Sequence, residues 1–161
     1  MAGLAAAGGC DDTTLPGTQL GTYGVVGTQT TNTCGAGVNA PDTPWTFDAM
    51  MSEDGTTLYW TTSVTDELSG ALVDSTASMS TSIQENVDGT NGVAGPCNME
   101  RDLTVDVTLG SGSPPTTFTG TLTYAFSVVT GSECSDQLSV NGGTYDTLPC
   151  SFAYSLSGSL Q

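Results

Sequence analysis

Seventeen acidic side chains are set against a single basic one, Arg101, in this 161-residue chain, which has neither Lys nor His. Carboxylates alone can do chemistry, since two of them about 5 to 10 Å apart hydrolyse a glycosidic bond without help from imidazole. Asp66, Glu67, Glu100 and Asp106 are the acids that invite this reading. Asp66 and Glu67 are adjacent at what reads as a turn, and adjacent residues of a strand point to opposite faces, so spacing arranges no pair. Solvated surface acids account for them, and no catalytic residue is assigned. Calcium is a natural partner for a carboxylate-rich, cation-poor chain. No segment fits the D-x-[DN]-x-[DN]-G loop, and Ser52-Glu53-Asp54-Gly55 reads as a hairpin turn, so neither a metal site nor a cofactor is expected.

The missing residue types exclude whole classes of function. Without His there is no Ser-His-Asp or Cys-His nucleophile and no His-ligated zinc. Without Lys there is no Schiff base and no P-loop lysine. One cation cannot neutralise a run of phosphates, which excludes nucleic-acid binding and electrostatic docking on anionic lipid. The expectation is a protein that is not an enzyme.

Binding remains. Arg101 is flanked by Glu100 and Asp102, and by alternation it shares a face with Met99, Leu103 and Val105. Pointing into a barrel it would anchor an anionic ligand or stack on an aromatic ring; pointing out it would pair with neighbouring acids. Among Tyr23, Trp45, Tyr59, Trp60, Tyr124, Phe126 and Tyr154, the candidate ligand-binding set is Tyr23, Trp60, Tyr124 and Tyr154 together with Arg101. The competing role of these rings is core packing, because an eight-stranded barrel is just wide enough for its own side chains or one small ligand.

The cysteines address the compartment. Leaving Cys10 aside, Cys34, Cys97, Cys134 and Cys150 form an even set, and two disulfides in an oxidising space are expected. Of the three possible pairings, Cys134 with Cys150 and Cys34 with Cys97 are favoured, the first stapling the hairpin before the last strand. No two of these four have the close spacing of a zinc site. Residues 1–10, Met-Ala-Gly-Leu-Ala-Ala-Ala-Gly-Gly-Cys, end in small residues directly before a Cys. This resembles the lipobox of bacterial lipoproteins, although a basic n-region is missing and the apolar stretch is short. The resemblance implies cleavage before Cys10, diacylglycerol on its sulfur and a membrane as partner through that lipid. Asp11 to Gly17 then reads as a polar tether.

The elements that must position these residues come from periodicity. Leu, Ile, Val and Phe make up only 30 residues, which together with high net charge would suggest disorder. Yet only 11% of residues are charged, and the polar bulk is 28 Thr and 17 Ser, of which Thr is a strand former. Phe118, Gly120, Leu122, Tyr124, Phe126 and Val128 alternate with Thr117, Thr119, Thr121, Thr123, Ala125 and Ser127. The same period recurs at 103–109 and 152–160, and more weakly at 22–33, 44–51, 56–64, 68–73 and 76–85, giving about eight strands. Turn signals separate them at Glu53-Asp54-Gly55, Asp88-Gly89, Asn91-Gly92, Gly110 to Pro115 and Asn141-Gly142-Gly143. The fold class is all-β, with an up-and-down antiparallel barrel preferred over a sandwich. Gly70, Gly120 and Gly158 inside strand patterns mark places of coiling or close backbone approach. Gly21-Thr22-Tyr23 resembles the Gly-x-Trp opening of lipocalins, with Tyr in place of Trp.

The domain organisation is thus a signal remnant at 1–10, a tether at 11–19 and one disulfide-stapled β domain at 20–161. The expected function is a non-catalytic binding or interaction module of the cell envelope, lipid-anchored or secreted, with an unidentified protein partner. A carrier of a small hydrophobic ligand in the barrel interior is the alternative, and a carboxylate-based hydrolase the second alternative.

Overall fold

The computed structural model describes residues 14–63, 65–87 and 97–161. The lipobox with Cys10, residues 11–13 and the turns at Asp88-Gly89 and Asn91-Gly92 lie outside the described residues. Eight strands run β1 (Thr18–Asn32), β2 (Trp45–Asp54), β3 (Thr57–Thr62), β4 (Thr65–Val73), β5 (Thr76–Val87), β6 (Cys97–Leu109), β7 (Thr117–Val128) and β8 (Cys150–Leu160). Each pairs antiparallel with the next, and β8 returns to β1, closing an up-and-down barrel. This is the architecture that the strand count and the lipocalin resemblance implied.

Period two builds the wall. Phe118 and Leu122 of β7 are buried while Thr117, Thr119 and Thr121 are exposed, and in β8 Phe152, Tyr154 and Leu156 are buried between half-buried or exposed Ser151, Ser155 and Ser157. Side chains of a strand alternate faces, so the aliphatic and aromatic set falls inside and the hydroxyls outside. A barrel that faces lipid inverts this, with an apolar band outward, and such a wall would strand the Thr and Ser hydroxyls in hydrocarbon.

The two ends differ. At one end the connections are tight, with Gly55–Thr56 between β2 and β3, Asp74–Ser75 between β4 and β5, and 110–116 between β6 and β7. Gly55 and Asp74 both take left-handed φ, at 61° and 56°, as such short hairpins require. This half is filled. Tyr23, Met51, Leu58, Trp60, Met79, Val105, Phe118 and Leu122 are all essentially buried, and the Phe118 ring meets Tyr23 and Trp60 edge-on at 5.5 and 5.6 Å. Gly158 makes room for it, since a Cβ there would lie 1.9 Å from the Phe118 ring. The other end carries the long 33–44 and 129–149 connections, the second containing two single-turn 3₁₀ helices, Ser135–Gln137 and Ser139–Asn141.

Four details add to or correct the sequence reading. The barrel is closed between β4 and β5 by only two rungs, Leu72↔Ala77 and Val73↔Thr76, so the strands part toward the long-loop end. Beyond those rungs the strands also approach closely at Gly70, where a Cβ would lie 2.1 Å from the Ser78 carbonyl. Asp66 and Glu67 belong to β4 rather than to a turn, because Thr62 and Thr65 close the hairpin one step earlier with side-chain hydrogen bonds (Thr65 N–H to Thr62 Oγ1, 3.0 Å). Part of the expected tether is docked: Leu15 is buried, its carbonyl accepts from Gln19 Nε2 at 2.7 Å, and β1 begins at Thr18.

The fourth concerns the disulfides. There are two, as expected, but they join Cys34 to Cys150 and Cys97 to Cys134. In an up-and-down barrel the end of β1, the start of β6, the end of β7 and the start of β8 all lie at the same end. Partners are then chosen by which strands are neighbours. β1 abuts β8 through closure, with Asn32 opposite Phe152 as the last rung, so Cys34 falls beside Cys150. β6 abuts β7, so Cys97 falls beside the segment that leaves Val128.

Candidate functional site

The inward row of β6, followed toward the long loops, changes from aliphatic to cationic beside aromatic residues of β7. On β6 it reads Val107, Val105, Leu103, Arg101, with Tyr124 opposite Leu103 and Phe126 opposite Arg101 on β7. Phe152 lies opposite Tyr124 on β8. Trp45 enters from the start of β2, and Val38, Asn39 and Pro41 of the 33–44 loop face Thr144 and Tyr145 of the 129–149 loop. These five loop residues, with Trp45, Arg101, Tyr124, Phe126 and Phe152, line a cup of about 430 Å³ in the barrel mouth. That volume is within the range of small-molecule sites.

The aromatic lining is contiguous. Tyr124 and Phe152 have ring centroids 5.0 Å apart, Phe126 and Tyr145 5.4 Å, and Trp45 and Tyr154 5.2 Å. Tyr154 is fully buried under the cup, and its hydroxyl donates to the Pro41 carbonyl at 2.7 Å, fastening the 33–44 loop onto β8. The two rim loops are joined where Asp146 N–H donates to the Cys34 carbonyl at 2.8 Å. Tyr145 is held between Gln137 and Ser139 by its own backbone, giving to one carbonyl and receiving from the other N–H. With both disulfides at this end, the rim is tied down before any ligand arrives, which lowers the ordering cost of binding.

Arg101 is the cation of the site. Its side chain is 40% exposed, and its Nη2 lies 3.5 Å from Glu85 Oε1 on β5. Burial raises the phenol pKa of Tyr124, with the Arg101 charge opposing. Burial likewise raises that of Tyr145, reinforced by Glu85 and opposed by Arg101. Both phenols therefore remain protonated donors at neutral pH, beside a positive charge. Arg101 and Tyr124 also line a smaller opening of about 80 Å³ at the slit between β4 and β5, with Thr65, Asp66, Thr81, Ile83 and Leu103.

Of the candidate ligand-binding residues, Arg101 and Tyr124 line the cup, and Tyr154 lies beneath it. Tyr23 and Trp60 do not line the cup but pack against Phe118 in the filled interior, with the Tyr23 hydroxyl donating to the Pro115 carbonyl at 2.6 Å at the tight-turn end. Phe152, Tyr145 and the Val38 to Pro41 segment were not singled out in the sequence. For Phe152 the signal was present, since it leads the inward row of β8. For the loop residues there was none, because alternation does not extend into irregular backbone.

The candidate carboxylates Glu100 and Asp106 do not form a pair. Glu100 and Asp106 both face outward on β6, about 20 Å apart at strand rise and well beyond the spacing of a glycosidase pair. Glu100 accepts from Gln84 Nε2 at 3.0 Å and Asp106 from Thr121 Oγ1 at 3.3 Å. Among the described residues there is no group of three or more His, Cys, Asp or Glu placed to hold a metal ion. No protein family, curated protein or solved structure matches the chain.

Proposed function

We propose that this protein is a non-catalytic binding module of the cell envelope, lipid-anchored through Cys10 or secreted, that takes a small apolar ligand in the mouth of its barrel. The carrying observation is the cup: the interior is filled at the tight-turn end and empties into an aromatic-lined cavity at the other. A fully packed interior would have favoured an interaction module acting through its outer wall instead. Two disulfides in a domain with few large aliphatics support an oxidising compartment.

An uncharged reporter dye, N-phenyl-1-naphthylamine, tests the reading because it brightens on entering apolar surroundings. Saturation at one dye per chain is expected, with energy transfer from Trp45. Val38→Trp, which would fill the cup, should abolish it. Absence of brightening, or brightening that survives Val38→Trp, would refute a ligand site in the mouth. The anchor has its own test. Expressed behind a complete lipoprotein signal, the protein should carry an acylated N-terminal Cys10, and an internal, unmodified Cys10 would end that part of the proposal.

A further inference from the structure

Arg101 is placed against the electrostatic interest of the fold. Seventeen acids and one cation leave the wall self-repelling, and a cation among the outward acids would relieve the most repulsion. The register instead puts Arg101 on the inward face, between Ile83 of β5 and Phe126 of β7, with buried Met99 and Leu103 two residues to either side. There it borders both the cup and the β4–β5 slit. Its ion-pair partner among the described residues is Glu85, its diagonal neighbour on the adjacent strand, and both side chains are about half exposed, at 40% and 54%. Exposed pairs of this kind contribute little to stability, so the pair does not explain the position.

We infer that the ligand of the cup is a carboxylate on an apolar or aromatic body, bound by the Arg101 guanidinium in place of Glu85. This rests on the cup being a ligand site at all. A guanidinium presents a planar fork of donors that matches the two oxygens of a carboxylate, and Glu85 already shows that a carboxylate oxygen reaches it. One positive charge suits a monoanion. A dianion such as a phosphate monoester would keep an unpaired charge inside a strongly negative protein. The Tyr124 and Tyr145 phenols, protonated and in the same lining, supply neutral donors for the oxygen lone pairs that the fork leaves free. The aromatic rings below receive the body.

Two uncharged-versus-charged isosteres separate this from shape alone: 1-naphthylacetate and 1-naphthylacetamide, titrated into the full chain by calorimetry at moderate salt, where repulsion from the outer wall is screened. The carboxylate should bind about tenfold or more tighter than the amide, as charge-assisted hydrogen bonding requires. Arg101→Met should erase that preference, bringing carboxylate binding down to that of the amide, with the melting temperature nearly unchanged. Glu85→Gln, by removing the internal competitor, should strengthen carboxylate binding by about threefold to tenfold. Glu100→Gln makes the same change of net charge on the outer wall and should leave both probes unmoved. Equal binding of the two probes to the native chain, or a preference that survives Arg101→Met, overturns the assignment while the cup stands. If neither probe binds and the uncharged dye also fails, the cup falls and this inference with it.

Discussion

Removing the disulfide across the closing seam should cost more than removing the one between β6 and β7, and should open the cup. In the chain-entropy account a cross-link stabilises by restricting the unfolded chain, and the restriction grows with the logarithm of the loop it closes. Cys34 and Cys150 are 116 residues apart, and Cys97 and Cys134 are 37 apart. These separations correspond to about 4.8 and about 3.8 kcal/mol at 25 °C. For a domain of this size the losses translate into melting temperatures lower by about 10–20 °C and about 8–15 °C. The variants are Cys34→Ala with Cys150→Ala, and Cys97→Ala with Cys134→Ala, compared by calorimetry. Thiol titration in denaturant should find no free thiol beyond Cys10 in either. Were Cys34 paired with Cys97 and Cys134 with Cys150, each variant would instead strand two unrelated cysteines. Two extra thiols, or a smaller loss from the 116-residue link, would refute the reasoning. The functional consequence follows from the Cys34 carbonyl, which receives the Asp146 N–H at the rim. Untying Cys34 loosens both loops that line the cup, so dye affinity should fall more in this variant than in the Cys97/Cys134 one.

Other predictions rest on single features. Burial raises the phenol pKa of Tyr23, Tyr124, Tyr145 and Tyr154 above 10.0. A group whose pKa is higher folded than unfolded contributes stability below the unfolded value and loses it as pH rises through the folded one. With no His or Lys, stability should be flat from about pH 7 to 9 and fall above about pH 10, phenolate absorbance rising together with unfolding. Phenols that all ionise near pH 10 in the intact fold would contradict the burial. Asp136 is only 7% exposed, and neither of its carboxylate oxygens has a hydrogen-bond partner. Asp136→Asn should therefore stabilise by about 1 kcal/mol or more, since an unpaired buried charge costs more than an unpaired amide; a lower melting temperature would show that the charge is compensated. Added NaCl, up to about 0.5 M, should raise the melting temperature by screening the outer acids, and a flat or falling curve would mean those charges are not mutually repelling.

The strands were legible because each carries its own evidence: alternation of Leu122, Tyr124 and Phe126 with Thr121, Thr123 and Ala125 is local and needs no partner to be seen. The same alternation correctly placed Arg101 on the face of Met99, Leu103 and Val105. Closure between β1 and β8 is not local, and the disulfide pairing failed at that point, since the favoured Cys34–Cys97 link follows the linear order and the observed one follows the seam. Leu15 was read as tether because a single apolar residue between Thr14 and Pro16 has no period to announce its burial. The cup was half legible. Its strand-borne lining, Trp45, Tyr124, Phe126 and Arg101, was within reach of alternation, whereas its rim depends on how two irregular loops meet, through contacts such as Tyr154 with Pro41 that join residues 113 apart.

The distribution of charge also argues where function can reside. Acids such as Glu100, Asp102 and Asp106 stand on the outward face of β6 in a wall otherwise made of Thr and Ser, and the large apolar residues exposed on the described surface, Val26, Val73, Ile83, Val128 and Val140, are scattered over strands and loops. Acids on such a surface are solvated and repel copies of the same chain. The mouth has the opposite character, with aromatic rings, a guanidinium and protonated phenols gathered within one cavity. A fold that kept its single cation and its surplus aromatic area at that end, and cross-linked that end twice, concentrates there the groups with which a small molecule could be held.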